Sequence, residues 1–315
     1  MKPQRCFLFA IVALIIMATV PQTFSAVSED SVRDVLKTLN NQLAVSGANI
    51  QIAKVEFSTY DQVGITVFAN DRTHQLDSHW VPNDPRRFGD RNISYLVDQV
   101  DRTADVSWTD AVPAIDRAMN IWNTVPCASI PITQSDDYGM DWGFIQFLVE
   151  MGGFPGWNAD ITHAGWLPGA FFEAIGGPGA SEYILGVTFT FIWVDGDPPE
   201  PTDIDNNRKD DVAFREIYYN DAFNWGIDIR EFDIETIAAH EVGHGLSLGH
   251  FGKIFINNAN GKLRFAPRSL MNAIYYDILH ELLGTDNASF CSVWSSWPNK
   301  EGRGPVTLGG WRGKK

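Results

Sequence analysis

The chain has 315 residues, a hydrophobic fraction of 44% and a formal net charge of −15 at pH 7. This length is enough for one substantial domain and a smaller second one, and the hydrophobic fraction is typical of globular proteins. The negative charge argues against binding to nucleic acids or to anionic membranes, because both are polyanions. It is compatible with calcium binding, although most of the carboxylates are expected to be solvated surface groups.

The first 25 residues have the pattern of an export signal peptide. Lys2 and Arg5 precede an apolar run over residues 6–20, and the small residues Thr23 and Ser25 mark a cleavage position after Ser25. The run is short for a membrane span, so we expect a secreted, extracellular protein without a stable membrane anchor. An uncleaved leader that anchors the chain is the alternative.

Residues 26–88 are predicted to form an N-terminal propeptide-like or accessory segment. Ser31 is a candidate N-cap for a helix that stops at Gly47, and short strands are predicted over residues 50–57 and 64–68. One apolar stripe of the predicted helix consists of Val32, Val35, Leu36, Leu39 and Leu43.

This segment contains no cysteine, so it offers no thiolate with which to block a metal site. Latency would instead depend on backbone contacts and on carboxylate or histidine side chains, for which Asp77 and His79 are candidates. Arg86-Arg87 is a candidate cleavage site near the end of the segment. The alternative is that residues 26–88 remain a fixed part of the mature protein.

The central part of the chain predicts a sheet with a long helix. Residues 92–99 indicate a first strand, and residues 110–122 indicate a helix in which Pro113 falls in the tolerated first turn. The apolar positions of that helix are Val112, Ile115, Met119 and Trp122. Further on, Phe189, Phe191 and Trp193 alternate as in a strand and are predicted core residues.

An acidic loop follows this strand and has the spacing of a calcium site. Asp203, Asp205, Asn207 and Asp211 fall at positions 1, 3, 5 and 9 of a calcium-type loop. Arg208 occupies position 6, where glycine is usual, and position 12 is not a glutamate. Calcium binding and a plain solvated loop therefore both remain open.

Residues 240–250 carry the strongest chemical signal, with the sequence His-Glu-Val-Gly-His-Gly-Leu-Ser-Leu-Gly-His. His240 and His244 lie one turn apart on one face of a helix for which Asp233 is a good N-cap. A turn after this helix could bring His250 to the same metal ion. Three nitrogen ligands with an open fourth position are typical of a catalytic zinc site, and Glu241 is the adjacent candidate base.

This motif resembles the signature of the metzincin zinc endopeptidases, and within them the matrixins. Ser269-Leu270-Met271-Asn272 resembles their methionine turn, and Tyr275 matches the aromatic residue that lines their specificity pocket. Ser247 stands at the signature glycine, so either Ser247 tolerates a positive φ or a neighbouring glycine makes the turn. The resemblance covers roughly residues 90–297.

The resemblance implies an α/β (α+β) metzincin fold over residues 89–297, with a twisted mixed sheet, a backing helix and an active-site helix. Residues 161–166 resemble the edge strand above the cleft, where His163 is expected to bind no metal. Cys127 and Cys291 are candidates for a disulfide, with two separate thiols as the alternative. The basic, Gly-rich tail 298–315 is predicted to be flexible.

The function implied is a secreted, monomeric zinc endopeptidase that acts on extracellular proteins or peptides, with calcium as a candidate second metal. Glu241 would be the general base, and the substrate would lie extended along an edge strand. Two alternatives remain: a catalytically silent metal-binding adhesin or structural domain of the same fold, and a hydrolase of a non-peptide bond.

Overall fold

The computed structural model describes residues 27–70, 78–227, 232–256 and 263–298. The predicted export signal lies outside these residues, as does the predicted tail beyond Pro298. The α-helices in the described part are α1 (Glu29–Ser46), α2 (Trp108–Ile121), α3 (Phe144–Leu148), α4 (Gly169–Gly176), α5 (Ile234–Gly245) and α6 (Gly284–Trp294). The strands are β1 (Ile50–Thr59), β2 (Thr66–Phe68), β3 (Ser78–His79), β4 (Ile93–Val97), β5 (Ile132–Gln134), β6 (Ile161–Leu167), β7 (Ile184–Asp195), β8 (Glu200–Pro201), β9 (Asp210–Asn220), β10 (Trp225–Gly226), β11 (Phe232–Asp233), β12 (Lys253–Ile256) and β13 (Leu263–Ala266).

Nine of these strands form one mixed sheet in the described part of the chain, so the protein belongs to the α/β class. The main order is β2-β1-β7-β9-β6-β4-β5, with β3 paired to β9 and β8 paired to β7. The strands β5, β4, β6 and β9 run parallel, whereas β7 is antiparallel to β9 and β1 is antiparallel to β7.

Helices cover both faces of the sheet and create two apolar cores. One core lies under α2 and α5 and includes Met119, Trp122 and Ile217. The other core lies between the sheet, α1 and α4, and it includes Phe189, Phe191 and Trp193, which confirms that these alternating aromatics are core residues. β7 therefore presents apolar side chains to one core and smaller polar ones, such as Thr188, towards α5.

The N-terminal segment contributes strands to this same sheet. β1 pairs with β7 along its length, and β3 pairs with the first two residues of β9, Asp210 and Asp211. The first helix begins one turn earlier than predicted, because Ser28 rather than Ser31 is the N-cap and its hydroxyl accepts the backbone N–H of Ser31. Residues 50–59 are an internal strand of the sheet, between β2 and β7.

The strand that contains His163 is an interior strand, and its assignment to the sheet edge was wrong. β6 lies between β9 and β4, and all seven of its residues are buried. His163 Nδ1 lies 2.7 Å from the Tyr219 hydroxyl, and its ring stacks on that tyrosine. The Nδ1 atom of His163 thus has a hydrogen-bond partner on the neighbouring strand β9, which allows a histidine to occupy an interior position.

A disulfide joins Cys127, which follows α2, to Cys291 in α6. The Cα atoms of the two cysteines are 5.7 Å apart, which is an ordinary separation for a disulfide. It ties the end of the backing helix to the C-terminal helix. None of the helices in the described residues combines the length and the apolarity needed to cross a bilayer.

Candidate metal centre

The helix α5 begins where the sequence indicates and carries the first two histidines inward. The Asp233 carboxylate accepts the backbone N–H of Thr236 at 2.7 Å, as an N-cap does. His240 and His244 follow on the buried side, one turn apart, and the entire helix is buried in the described structure. A helix buried on all sides needs partners for every polar side chain that it carries.

The turn after α5 is made by Ser247 itself, with φ +66°, rather than by a neighbouring glycine. Its hydroxyl lies 3.2 Å from His79 Nδ1 and accepts a hydrogen bond from an Arg215 guanidinium nitrogen at 3.1 Å. These contacts offset the strain of a non-glycine residue in the left-handed region, which is about 1 kcal/mol. The turn places His250 beside the two helical histidines.

The three imidazoles converge through their Nε2 atoms. His244 Nε2 lies 3.1 Å from His240 Nε2 and 3.3 Å from His250 Nε2. Nitrogens bound tetrahedrally to one zinc ion are separated by roughly 3.3 Å, given Zn–N bonds of about 2.0–2.1 Å. The spacing therefore fits one small metal ion, and these histidines could hold it.

The outer ring nitrogens of the helical histidines are fixed by backbone carbonyls. His240 Nδ1 donates to Leu270 O at 2.8 Å, and His244 Nδ1 donates to Leu248 O at 2.8 Å. With the proton held on Nδ1, each Nε2 keeps its lone pair for a metal. The orientation of both rings is thus set by chain segments outside the helix.

Burial tunes the charge of the cluster. It lowers the pKa of His240 to about 3 and the pKa of His250 well below its usual value, so both rings are neutral at pH 7, as metal ligands must be. Burial also disfavours a charge on His244, but the neighbouring Glu56 carboxylate outweighs it and raises the pKa of that imidazole.

Glu241 lies on α5 beside the histidines and is fully buried. Thr188 Oγ1 of β7 donates a hydrogen bond to its Oε2 at 2.5 Å, and the Ser58 hydroxyl of β1, which donates to Gly186 O, lies near the carboxylate. Burial raises the pKa of Glu241, while His244 and these two hydroxyls oppose the rise. A carboxyl with a raised pKa is better matched to accept a proton near neutral pH.

Glu56 is a second buried carboxylate at the cluster that the sequence did not indicate. Its Oε1 lies 3.3 Å from His244 Nδ1, and its Oε2 lies 3.1 Å from the ammonium group of Lys54. Neither oxygen accepts a hydrogen bond within the described residues. A signal in the sequence was the pair of opposite charges, Lys54 and Glu56, within a predicted strand that is otherwise largely apolar. Burying two charges costs free energy, so such a pair indicates a functional position.

The predicted methionine turn lies directly beneath the histidines. A Cβ atom on Gly243 would come within 2.3 Å of Met271 Sδ, so the turn packs against the helix where a glycine allows close approach. Asp286 of α6 holds the turn, because its carboxylate accepts the backbone N–H groups of Leu270 at 3.0 Å and Met271 at 3.3 Å. Asp286 thereby fixes the carbonyl that orients His240.

Tyr275 borders a small cavity next to His240. Its hydroxyl accepts the backbone N–H of Asp233 at 3.4 Å, which anchors it to the start of α5. The cavity is also lined by Ser58, Thr236, Ile237, Leu270, Ile274 and Leu279, together with more polar rim residues. The arrangement can accept a small side chain beside the candidate metal site.

The end of α5 is secured by side chains from distant parts of the chain. Indole N–H groups of Trp122, Trp80 and Trp294 donate to the carbonyls of residues 239, 245 and 246, respectively. Arg215 donates to the Gly245 carbonyl at 2.8 Å and to that of His244. A cation at a helix C-terminus also interacts favourably with the helix dipole.

The acidic loop brings the carboxylates of Asp203, Asp205 and Asp211 within 4.8 Å of one another. Asn207 lies beside them, but its amide nitrogen donates to Asp205 Oδ2 at 3.0 Å and its oxygen accepts the Lys209 N–H at 2.7 Å. Asp211 is engaged by Arg86 at 2.8 Å. These oxygens are already used within the loop, and calcium binding there stays a prediction.

The arginine pair that was predicted to be a cleavage site is anchored to the rest of the protein by ion pairs. Arg87 is buried and forms an ion pair with Asp160 at 2.6 Å. Arg86 is paired with Asp84 and Asp211 and lies over the Trp193 ring. Of the candidate blocking side chains, Asp77 lies outside the described residues, and His79 supports the turn at Ser247 instead of facing the histidine cluster.

Comparison with known proteins adds no family assignment, since no family model matches the chain and no curated protein matches its sequence. The chemistry must therefore be inferred from the site. Three imidazoles and an adjacent carboxylate can hold one divalent transition metal and move a proton next to it.

Proposed function

We propose that the protein is a zinc-dependent endopeptidase of the metzincin type, most similar to the matrixins, and that it is exported. The observation that carries this proposal is the convergence of three Nε2 atoms beside the Glu241 carboxylate. Imidazole nitrogens suit zinc better than calcium, which prefers oxygen ligands. The methionine turn beneath the helix supports the same assignment.

In this proposal His240, His244 and His250 hold the ion and leave one position open. Zinc would polarise the scissile carbonyl and acidify the attacking water. Glu241 would accept the proton of that water and return it to the leaving amine. Thr188 holds one Glu241 oxygen in place, and Tyr275 with the cavity beside His240 would select the side chain that follows the cut.

The alternative of a catalytically silent metal-binding domain has one observation in its favour. Glu241 is fully buried and accepts a hydrogen bond from Thr188, so in this structure it is covered by the chain itself. A site that stays covered would bind a metal without turning over a substrate. The two proposals differ in activity and agree on metal content.

The experiment compares wild type with Glu241→Gln and with Glu235→Gln as a matched control on the same helix. Glu235 is paired with Arg117 and does not contact the histidines. Each protein is assayed on casein and on peptide libraries, intact and after limited trypsin treatment ended with a serine-protease inhibitor. We expect equal zinc content in all three and a loss of about 10²–10⁴-fold in hydrolysis for Glu241→Gln alone.

A chelator should abolish the hydrolysis, and added zinc should restore it. Equal hydrolysis by wild type and Glu241→Gln would contradict the proposal. Zinc binding without hydrolysis in every preparation would favour the silent metal-binding domain.

A further inference from the structure

The buried ion pair between Lys54 and Glu56 of β1 has no role in the proposed function. The two residues are 1% and 0% exposed, and Lys54 Nζ lies 3.1 Å from Glu56 Oε2. A buried ion pair usually stabilises a fold no better than apolar side chains of the same size, because removing both charges from water offsets their attraction. Stability alone therefore does not account for this pair.

Glu56 lies beside one of the three candidate metal ligands. Its Oε1 is 3.3 Å from His244 Nδ1, the ring nitrogen that donates to Leu248 O at 2.8 Å. The other nitrogen of the same ring, Nε2, is 3.1 Å from His240 Nε2 and 3.3 Å from His250 Nε2. His244 is thus the imidazole that contacts both of the others, and a carboxylate lies next to the N–H group on its outer side.

A carboxylate at this position acts on a bound metal through the imidazole. A negative charge beside the outer N–H group polarises the ring, so that Nε2 becomes a stronger donor to the metal, and it favours one orientation of the ring. It also offsets part of the charge that a divalent ion brings into a site away from water. Lys54 in turn stabilises the negative charge of Glu56.

We propose that Glu56 is a positioning residue of the candidate metal centre, which orients His244 and strengthens it as a ligand, and that Lys54 holds Glu56 in place for this role. The inference rests on the proposed function only for the identity of the metal, zinc. It makes β1 a component of the metal centre, because the carboxylate comes from that strand. A working site therefore needs residues 50–59 in place.

Two variants separate this role from a purely structural one. Glu56→Gln keeps the shape of the side chain, but it leaves a buried cation beside a neutral amide, which can unfold the chain. The double variant Lys54→Met, Glu56→Met replaces both charged groups with apolar side chains of similar length, a change that buried ion pairs usually tolerate. Glu216→Gln is the matched control, because Glu216 is also a buried carboxylate, but its partners are backbone N–H groups of α3 and the Tyr218 hydroxyl.

Zinc affinity is measured for the full-length chain by competition with a chromophoric chelator. We expect it to fall about 10–100-fold in Glu56→Gln and in the double variant, as for other outer partners of metal ligands, and to stay at the wild-type value in Glu216→Gln. Urea titrations of the zinc-free proteins report stability separately. The double variant should be about as stable as wild type, so its loss of zinc affinity would not come from unfolding.

NMR of isotope-labelled histidine rings in the zinc-loaded proteins reports the contact itself. The Nδ1–H proton of His244 should move upfield when Glu56 is replaced, because it loses the neighbouring negative charge. The corresponding proton of His240, which is donated to Leu270 O, should change less. A role in stability alone would leave both resonances where they are in wild type.

Wild-type zinc affinity in the double variant would overturn the inference, as would an unchanged His244 resonance. Peptide hydrolysis tests the proposed function separately. If wild type binds zinc and cleaves nothing, the peptidase proposal fails, and the affinities still decide the role of Glu56. Zinc-dependent hydrolysis with equal zinc affinities in wild type and the double variant would have the opposite meaning, and a wild-type protein that binds no zinc would contradict both proposals.

Discussion

The histidine cluster and the acidic loop each place three potential ligand groups within 4.8 Å of one another, but they use those groups differently. In the histidine cluster, the Nδ1 atoms of His240 and His244 are fixed by carbonyls and the Nε2 atoms converge. In the acidic loop, the carboxylate of Asp203 accepts the backbone N–H groups of Asn207 and Arg208, both at 2.9 Å.

The difference shows what a pre-organised metal site requires beyond close ligands. Each imidazole has two nitrogens, so one can be anchored while the other remains available. The loop carboxylates serve as anchors for their own turn, in which Arg208 adopts φ +68° at the position where glycine is usual. A metal in the loop must compete with hydrogen bonds that already exist, whereas a metal in the histidine cluster replaces none of the Nδ1 contacts.

The largest expected effect is that of zinc on the histidine cluster. Zinc at about 1,000 times its Kd stabilises the folded state by about 4 kcal/mol, which for a chain of this size corresponds to a rise in Tm of about 6 °C. His244→Ala should abolish this rise, and the double variant Asp203→Ala, Asp205→Ala should retain it. Calorimetry with and without a chelator measures this rise in Tm. A zinc-dependent rise that persists in His244→Ala would contradict the assignment of zinc to the histidine cluster.

The second effect concerns the carbonyl that anchors His240. Asp286→Ala removes the acceptor that holds Leu270 and Met271, so the orientation of His240 should loosen. We expect zinc affinity to fall about 10–100-fold, as for other outer partners of metal ligands. Competition with a chromophoric chelator gives the affinity, with Asp277→Ala, an exposed partner of Arg268, as the control. Equal affinities in the two variants would count against the anchoring role.

The third effect separates His163 from the ligand histidines. Burial lowers the pKa of His163 to about 3 in the folded protein. In the unfolded chain the same imidazole binds a proton below about pH 6.5. Stability should therefore fall as the pH drops through this window, by about 2 kcal/mol at pH 5. In chelator-treated protein, His163→Gln should lose less stability than wild type between pH 7 and pH 5. Identical pH dependence in urea titrations would show that His163 is protonated in the folded state.

The smallest effect is expected at the acidic loop. Millimolar calcium should raise the Tm of wild type by about 2 °C at most, because any gain must offset the loss of existing hydrogen bonds. Arg86→Ala removes the guanidinium group that is paired with the Asp211 carboxylate and should enlarge the calcium-dependent rise. Thermal scans of both proteins with and without calcium measure this, and a rise that also persists in Asp203→Ala, Asp205→Ala would place the calcium elsewhere.

The sequence predicted those parts of the site that local geometry determines. Helical spacing alone puts His240 and His244 on one face, and the Asp233 cap begins the helix as expected. Helices α1 and α2 and strands β1, β2 and β4 were also predicted, although the N-cap of α1 is Ser28 rather than Ser31. These features depend on residues that are close together in the chain.

The features that could not be predicted depend on distant contacts. Glu56 and Ser58 reach the site only because β1 pairs with β7 and a register shift reverses the faces of the strand. His163 was assigned to a sheet edge through the resemblance of residues 161–166 to the matrixin edge strand, and the Tyr219 hydroxyl that lies 2.7 Å from its Nδ1 is 56 positions away in the chain. Asp286 gave no local signal, since its partners lie 15 to 17 residues earlier.

X-ray absorption at the zinc edge on the zinc-loaded protein tests the central claim most directly. We expect one zinc ion per chain with three imidazole nitrogens at about 2.0–2.1 Å. His244→Ala should lose this signal, while the double variant Asp203→Ala, Asp205→Ala should keep it unchanged. A zinc ion coordinated by oxygen atoms alone, or the full imidazole signal in His244→Ala, would contradict the account.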